Sequence, residues 1–426
     1  MTSRLPPLGT IDAKSNSFSQ QRLVCLVNTV GRLLLNNGSS LVSLEEKLLL
    51  DKACRRTRRD DFGGDSFLEP FRILLKSFAT EADLNFLGRI CVQNDILRML
   101  GNRLRLVEDR QRFPAIDDVV IRRPLFITGL PRSGTTFLHA LLAQDPAHRV
   151  PQVWEVMHPS PPPEKAGYHS DPRIAKTQRE LKAIDFLMPD LETVHLIGAR
   201  LPQECIAITS HDFRSHVFES MYYVPSYRAW FDAEDKVPAY EFHRRFLQHL
   251  QWRCPGKRWV LKAPSHLLAL DALFQVYPDA GIILTHRDPL KVLPSCASFT
   301  EVLRRGFTDV IDKKTLGLEV SGRWQEGARL AVGCRDRGNP KSGNFFDVHY
   351  LELVENPLSV VKGIYRHFDL ELTDAAELAM RRFIAENPKD KGGVHHYSLE
   401  EFGLDPKEER RRFQFYLDSF GIDAET

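Results

Sequence analysis

Long apolar runs are missing from this 426-residue chain, and with them the usual means of crossing a membrane. A spanning helix needs roughly 20 consecutive apolar residues, whereas the early run from Leu23 to Leu35 is broken by Asn28 and Arg32. The opening Met-Thr-Ser-Arg-Leu-Pro-Pro-Leu-Gly lacks the pattern of a signal peptide, so neither export nor a transmembrane segment is expected. Cysteine is scarce as well. Seven residues, an odd number with no Cys-x-x-Cys pair, argue against a disulfide framework or a zinc site. A reducing, cytoplasmic setting is expected, with no bound metal. Nor does one charge prevail: 58 Lys and Arg against 56 Asp and Glu leave +2. No nucleic-acid partner follows from that balance, and any anion must be met by local clusters. Internal repeats and low-complexity tracts are lacking too.

What the chain has is a globular composition, 42% hydrophobic and 27% charged. Its length exceeds what a single core usually organises, which predicts one large domain and a smaller one. From about Ser19 to Arg110 apolar residues recur at helical spacing, as in Leu68, Phe71, Leu74 and Leu75, then Phe86, Ile90, Ile96, Leu97 and Leu100. A break at Asp60 to Asp65 divides this stretch. The pattern predicts an N-terminal helical region over residues 1–118, read as a cap or as the surface of a homodimer. From Arg122 the pattern changes to short apolar runs: Leu125 to Thr128, Trp259 to Leu261, Ile282 to Thr285 and Phe345 to Val348. Each precedes a helical stretch, so residues 119–426 read as an α/β domain, a parallel sheet flanked by helices. Ligands of such sheets bind outside the carboxyl ends of the strands.

The first of those ends carries Pro124-Leu-Phe-Ile-Thr-Gly-Leu-Pro-Arg-Ser-Gly-Thr-Thr-Phe137. Gly129 and Gly134 let backbone N–H groups converge on an anion, and the helix opening behind them adds about half a positive charge. This is a phosphate cradle of the P-loop kind without the Walker lysine: Thr135 stands directly after the second glycine. Arg132 is the cation inside the loop. About 150 residues on, Gly281-Ile-Ile-Leu-Thr-His-Arg-Asp-Pro-Leu-Lys-Val-Leu-Pro-Ser295 gives a strand, an arginine at its end and a serine eight positions later. Asp288 and Pro289 also suit a helix start.

Together the two motifs resemble the nucleotide site of sulfotransferases that use 3′-phosphoadenosine 5′-phosphosulfate (PAPS), nearest to the bacterial-type and protein-tyrosine branch. The resemblance covers roughly residues 119 to 404. It implies a P-loop-like fold, PAPS as co-substrate, and in-line transfer of a sulfuryl group to an acceptor hydroxyl or amine. By this likeness Arg132, Ser133, Gly134, Thr135, Thr136 and Phe137 hold the 5′-phosphosulfate, and Arg287 and Ser295 the 3′-phosphate. Tyr350, in Asp347-Val-His-Tyr350, resembles a tyrosine beside the adenine. Lys391 and Tyr397 fall in a basic, glycine-containing loop of the kind that closes over the nucleotide.

Sulfuryl transfer needs charge stabilisation and a base. Arg132 and Lys262, at the end of Arg258-Trp-Val-Leu-Lys262, are the expected catalytic cations. Two bases compete. Glu155, which follows the loop helix and a strand, resembles the catalytic glutamate of the protein-tyrosine and bacterial branch. His266 follows Lys262 by four residues, where the cytosolic branch has a histidine after two. Glu155 is the preferred choice. The acceptor is expected to be a small or lipid-like molecule, met between Pro159 and Tyr240. Tyr168, Phe186, Phe213, Phe218, Tyr222, Tyr223, Tyr227, Trp230 and Phe231 in that stretch line an apolar pocket or belong to the core. A P-loop kinase or NTPase, and a non-catalytic nucleotide-binding protein, are the alternatives.

Overall fold

Every residue of Leu125–Gly129, the first strand (β1), is buried, as a strand covered on both faces requires. Leu125 and Ile127 pack into one core with Val260, Ile283 and Val348, while Phe126 packs into another with Leu261, Ile282 and Leu284. The computed structural model describes residues 26–31, 42–187, 198–336, 342–387 and 397–425. Its sheet is parallel, with β2 (His148–Arg149), β3 (Arg258–Lys262), β4 (Gly281–His286) and β5 (Phe345–His349) in the order β2-β3-β1-β4-β5.

The acidic break divides the N-terminal helices α1 (Glu46–Thr57) and α2 (Leu68–Thr80) as expected, and a second break at residues 81–85, which the pattern did not announce, precedes α3 (Phe86–Arg112). The Asn85 side chain caps α3 by accepting from the Gly88 N–H at 2.7 Å. Phe71, Leu74, Ile96 and Leu100 then build a core that also contains Phe213, Tyr222, Tyr227 and Phe231. Truncating such a residue, Leu100→Ala for example, costs about 2–5 kcal/mol. The N-terminal region therefore shares its core with residues 213–231, beyond the expected boundary at residue 118.

Downstream, α4 (Thr135–Leu142) follows β1, and the short α5 (Val153–Met157) follows β2. Beyond a helix at Pro172–Leu187 lie α6 (Cys205–Thr209), α7 (Val217–Met221) and α8 (Pro225–Ala233), and β4 leads into α9 (Pro289–Arg305). Leu138, Leu141 and Leu142 of α4 join the core on one face of the sheet; Val292, Leu293 and Ala297 of α9 join the core on the other. The chain thus leaves the adjacent carboxyl ends of β1 and β4 toward opposite faces, which opens a crevice there. Among the described residues no helix is long and apolar enough to cross a membrane.

Candidate active site

At Gly129 φ is +145°, and a Cβ there would stand 2.2 Å from the carbonyl oxygen of Thr285, so the approach of β1 to β4 admits only glycine. Gly134, at φ +88°, precedes α4. Between them Arg132 adopts φ 61°, a left-handed conformation that costs a non-glycine residue about 1–3 kcal/mol. Two contacts offset it. Arg287 Nη1 donates to the Arg132 carbonyl at 2.7 Å, and Arg132 Nε donates to Ser295 Oγ at 3.1 Å. Residues from two distant motifs are thereby joined into one ring. The Ser133 hydroxyl turns the other way, donating to the Leu130 carbonyl and pairing with Thr285 Oγ1 at 2.6 Å. It ties the loop to β4 and leaves the cavity wall to its neighbours.

That wall encloses about 680 Å³. Arg132, Gly134, Thr135, Thr136, Phe137, Arg287, Ser295, Tyr350 and Tyr397 all line it. The Arg287 guanidinium lies 3.9 Å above the Tyr350 ring centroid, and its fork holds an anion: Nε is 3.0 Å from Glu425 Oε1, and Nη2 is 3.1 Å from Glu425 Oε2. The Glu425 N–H in turn donates to Asp288 Oδ2 at 3.0 Å. A carboxylate from the C-terminal segment therefore occupies the place expected for a phosphate. Asp288 also caps α9, accepting from Leu290 N–H at 3.0 Å. Lys391 lies outside the described residues.

Lys262 ends β3 buried to 2% exposure, with Nζ donating to Thr136 Oγ1 at 3.1 Å and to the Glu204 carboxylate. Glu204 lines the same cavity and stands at the N-cap position of α6. Sequence reasoning missed it. An acidic residue before a short apolar helix reads as a cap, and its lysine partner is 58 positions away.

Neither expected base reaches this space, since the cavity wall includes neither Glu155 nor His266. Glu155, fully buried at 0% exposure, accepts from Arg149 Nη2 at 2.7 Å, from the Gln152 N–H at 2.9 Å and from the Tyr168 hydroxyl at 3.0 Å. Burial pushes its carboxyl up from the ordinary value against the pull of Arg149. A raised carboxyl suits a base, but its oxygens are spent on fixing the start of α5. That helix in turn holds the segment leading to Glu204: Trp154 N–H donates to the Ala199 carbonyl at 3.0 Å, and Gln203 N–H to the Pro151 carbonyl at 2.7 Å. His266 points into the core, with Nδ1 2.7 Å from the Tyr240 hydroxyl and its ring edge-on to Phe126. Burial holds it well below its ordinary pKa, helped by the positive charge of Lys262.

The aromatic stretch resolves toward core. Among the described side chains, Phe213, Phe218, Tyr222, Tyr227 and Phe231 pack with the N-terminal helices, and Tyr168 packs on Trp154. The cavity is walled instead by their aliphatic neighbours Val217, Met221 and Val224.

This sheet, its order and the loop after β1 define a P-loop-like α/β fold. Residues 124–374 match the Sulfotransferase family. The chain belongs to that family and is a sulfotransferase. It is 24% identical over 330 residues to the omega-hydroxy-beta-dihydromenaquinone-9 sulfotransferase Stf3 of Mycobacterium bovis, covering 73% of this chain and 78% of that protein. The crystal structure of sulfotransferase STF9 from Mycobacterium avium is similar with a TM-score of 0.83 and 30% identity, over 90% of this chain and 98% of that one. Sulfotransferase STF1 from Mycobacterium tuberculosis matches with a TM-score of 0.77 and 33% identity, over 87% and 98%.

Proposed function

We propose that this protein transfers the sulfuryl group of PAPS to a hydroxyl of a hydrophobic small molecule, with Glu204 as the proton acceptor. The observation that carries the reading is one cavity lined by the glycine-bearing loop, the Arg287 fork and Glu204, with Lys262 held just behind its wall by Glu204 and Thr136. The fork's grip on the Glu425 carboxylate supports its fitness for a phosphate. PAPS supplies an activated sulfuryl group. Lys262 and Arg132 place positive charge at the loop, where the leaving oxygen gains negative charge. Glu204 has an oxygen on Lys262 and lines the cavity, so it can take the acceptor proton while the lysine steadies the carboxylate. The walls at Ile206, Met221, Val224 and Leu268 are apolar, which favours a lipid-like or aromatic acceptor over a polysaccharide. The named activity of the Mycobacterium bovis relative, on a menaquinone derivative, points the same way.

Calorimetric titration with adenosine 3′,5′-bisphosphate, AMP and ATP, with a turnover assay in a chelator, tests this. The bisphosphate should bind about tenfold or more tightly than AMP, because a fork built for a second phosphate loses a charge-assisted contact without it. Sulfuryl transfer should persist without divalent metal. Equal affinity for AMP and bisphosphate, or turnover of ATP restored by magnesium, would move the protein to the kinase reading.

A further inference from the structure

Glu204 stands at the N-cap of α6, a helix of only five residues. A helix that short is marginal by itself, so what holds it from outside sets where Glu204 points. The hydroxyls of Thr209 and Ser210 donate to the carbonyls of Ile206 and Ala207, but these bonds stay within the turn and do not place it in the molecule. Two ties reach farther. Both end on the N-terminal helices.

The first runs through His211 to α3. Asn102 Nδ2 donates one hydrogen to the Met157 carbonyl at 2.9 Å and the other to His211 Nε2 at 3.1 Å. An amide nitrogen only donates, so Nε2 accepts and the ring proton sits on Nδ1. Nδ1 then donates to the carbonyls of Ala207 and Ile208, at 3.0 and 3.2 Å. Burial holds the ring's pKa down at about 3, which keeps it neutral, as one donor and one acceptor nitrogen require. Asn102 is 2% exposed and His211 0%, so water does not compete for these bonds. Because Met157 ends α5, a single amide joins α3 to both short helices.

The second tie starts on α2. Tyr227 N–H donates to Ser77 Oγ at 3.0 Å, the Tyr227 hydroxyl accepts from Ser215 N–H at 2.9 Å, and Ser215 Oγ donates to the Ile206 carbonyl at 2.7 Å. Beside His211, Asp212 is gripped by Arg103 of α3 at 2.9 Å and by Arg214 at 2.8 Å. The last turn of α6 is thus set against the N-terminal region, while its first end meets Lys262 and the cavity. At 1.5 Å per residue Ala207 lies only about 4.5 Å along the axis from Glu204, so a tilt at the held end reaches the carboxylate.

We propose that Asn102 and His211 are positioning residues for sulfuryl transfer, holding α6 so that Glu204 meets Lys262 at the cavity wall. The N-terminal helical region, which carries no motif for chemistry, thereby takes part in the reaction. This rests on Glu204 as the proton acceptor.

The test is a double-mutant cycle on the full chain. It reads sulfuryl transfer from labelled PAPS to 1-decanol, both saturating, and affinity for adenosine 3′,5′-bisphosphate by calorimetry. His211→Phe keeps a ring and removes both nitrogens. Below its melting temperature it should lower kcat about tenfold to a hundredfold, the cost of misplacing a reacting group by about 1 Å, while bisphosphate affinity holds. Asn102→Leu should act in the same direction. His211→Asn, whose amide can donate where Nδ1 does, should recover part of the loss. In a Glu204→Gln background His211→Phe should cost nothing further, because a residue that acts through another has no effect once that other is gone. Leu74→Ala, an apolar truncation in the N-terminal core, should lower stability and leave kcat near wild type. Near-normal rates in folded His211→Phe and Asn102→Leu, a loss repeated in full in the Glu204→Gln background, or an equal loss in Leu74→Ala would overturn the positioning role alone. A near-normal Glu204→Gln would overturn the base reading and this inference with it.

Discussion

Glu155 and Glu204 are both carboxylates beside a cation, and what their oxygens touch separates them. Glu155 spends both on Arg149, a backbone N–H and a tyrosine hydroxyl, whereas Glu204 meets Lys262 at the cavity wall. Sequence can place Arg132, Arg287 and Ser295 because each sits at a fixed offset within a motif that follows a strand. It cannot place Glu204, whose meaning comes from a partner on another element. Glu425 was equally illegible, since nothing near the C-terminus announces a guanidinium fork as its partner. With that carboxylate in the fork, a phosphate must displace it. Glu425→Ala should therefore tighten adenosine 3′,5′-bisphosphate binding about twofold to tenfold by calorimetry. Weaker binding in the variant would mean that the C-terminal segment helps hold the nucleotide instead.

At the scale of elements, the four longer strands were readable as apolar runs, each within a residue or two of its observed ends. The two residues of β2 are too few to carry a period, and only a strand without bounds could be expected before Glu155. The aromatic stretch after residue 200 illustrates the complementary limit. Aromatic content marks burial but does not say on which side of a short helix it falls: α7 turns Phe218 to the N-terminal core and Val217 and Met221 to the cavity, and α8 turns Tyr227 and Phe231 to that core and Pro225 and Arg228 to the cavity. The junction of β1 with its loop is the element most exposed to change. In Gly129→Ala a methyl group would meet the Thr285 backbone at a φ that favours glycine. The variant should lose at least about 1–3 kcal/mol in a urea titration, together with bisphosphate affinity. Unchanged affinity would show that the loop does not need the close approach of β4.

Across the whole molecule, burial keeps several histidines neutral. His139, His211, His243 and His249 are each held near 3, against an ordinary 6.5, chiefly by desolvation. The unfolded chain takes up these protons near 6.5, but the folded chain does so only near 3. Their contribution to stability is complete above about pH 6.5 and falls as the pH drops from there toward 3, by roughly 1.4 kcal/mol per pH unit for each ring. The melting temperature should be nearly flat between pH 7 and 8 and drop steeply below about 6. A flat profile down to pH 5 would contradict the burial of these rings.

Which carboxylate accepts the proton is measured most directly by sulfuryl transfer from labelled PAPS, at saturating donor and acceptor, by wild type, Glu204→Gln and Glu155→Gln. Glu204→Gln should lower the rate about 10²–10⁴-fold while bisphosphate affinity holds. Glu155→Gln should lose about 3–5 kcal/mol of stability by breaking a buried pair. Below its reduced melting temperature its rate should stay within about tenfold of wild type, because Glu155 acts only by holding the segment that carries Glu204. A near-normal Glu204→Gln beside a well-folded, inactive Glu155→Gln would contradict the assignment and return the chemistry to Glu155.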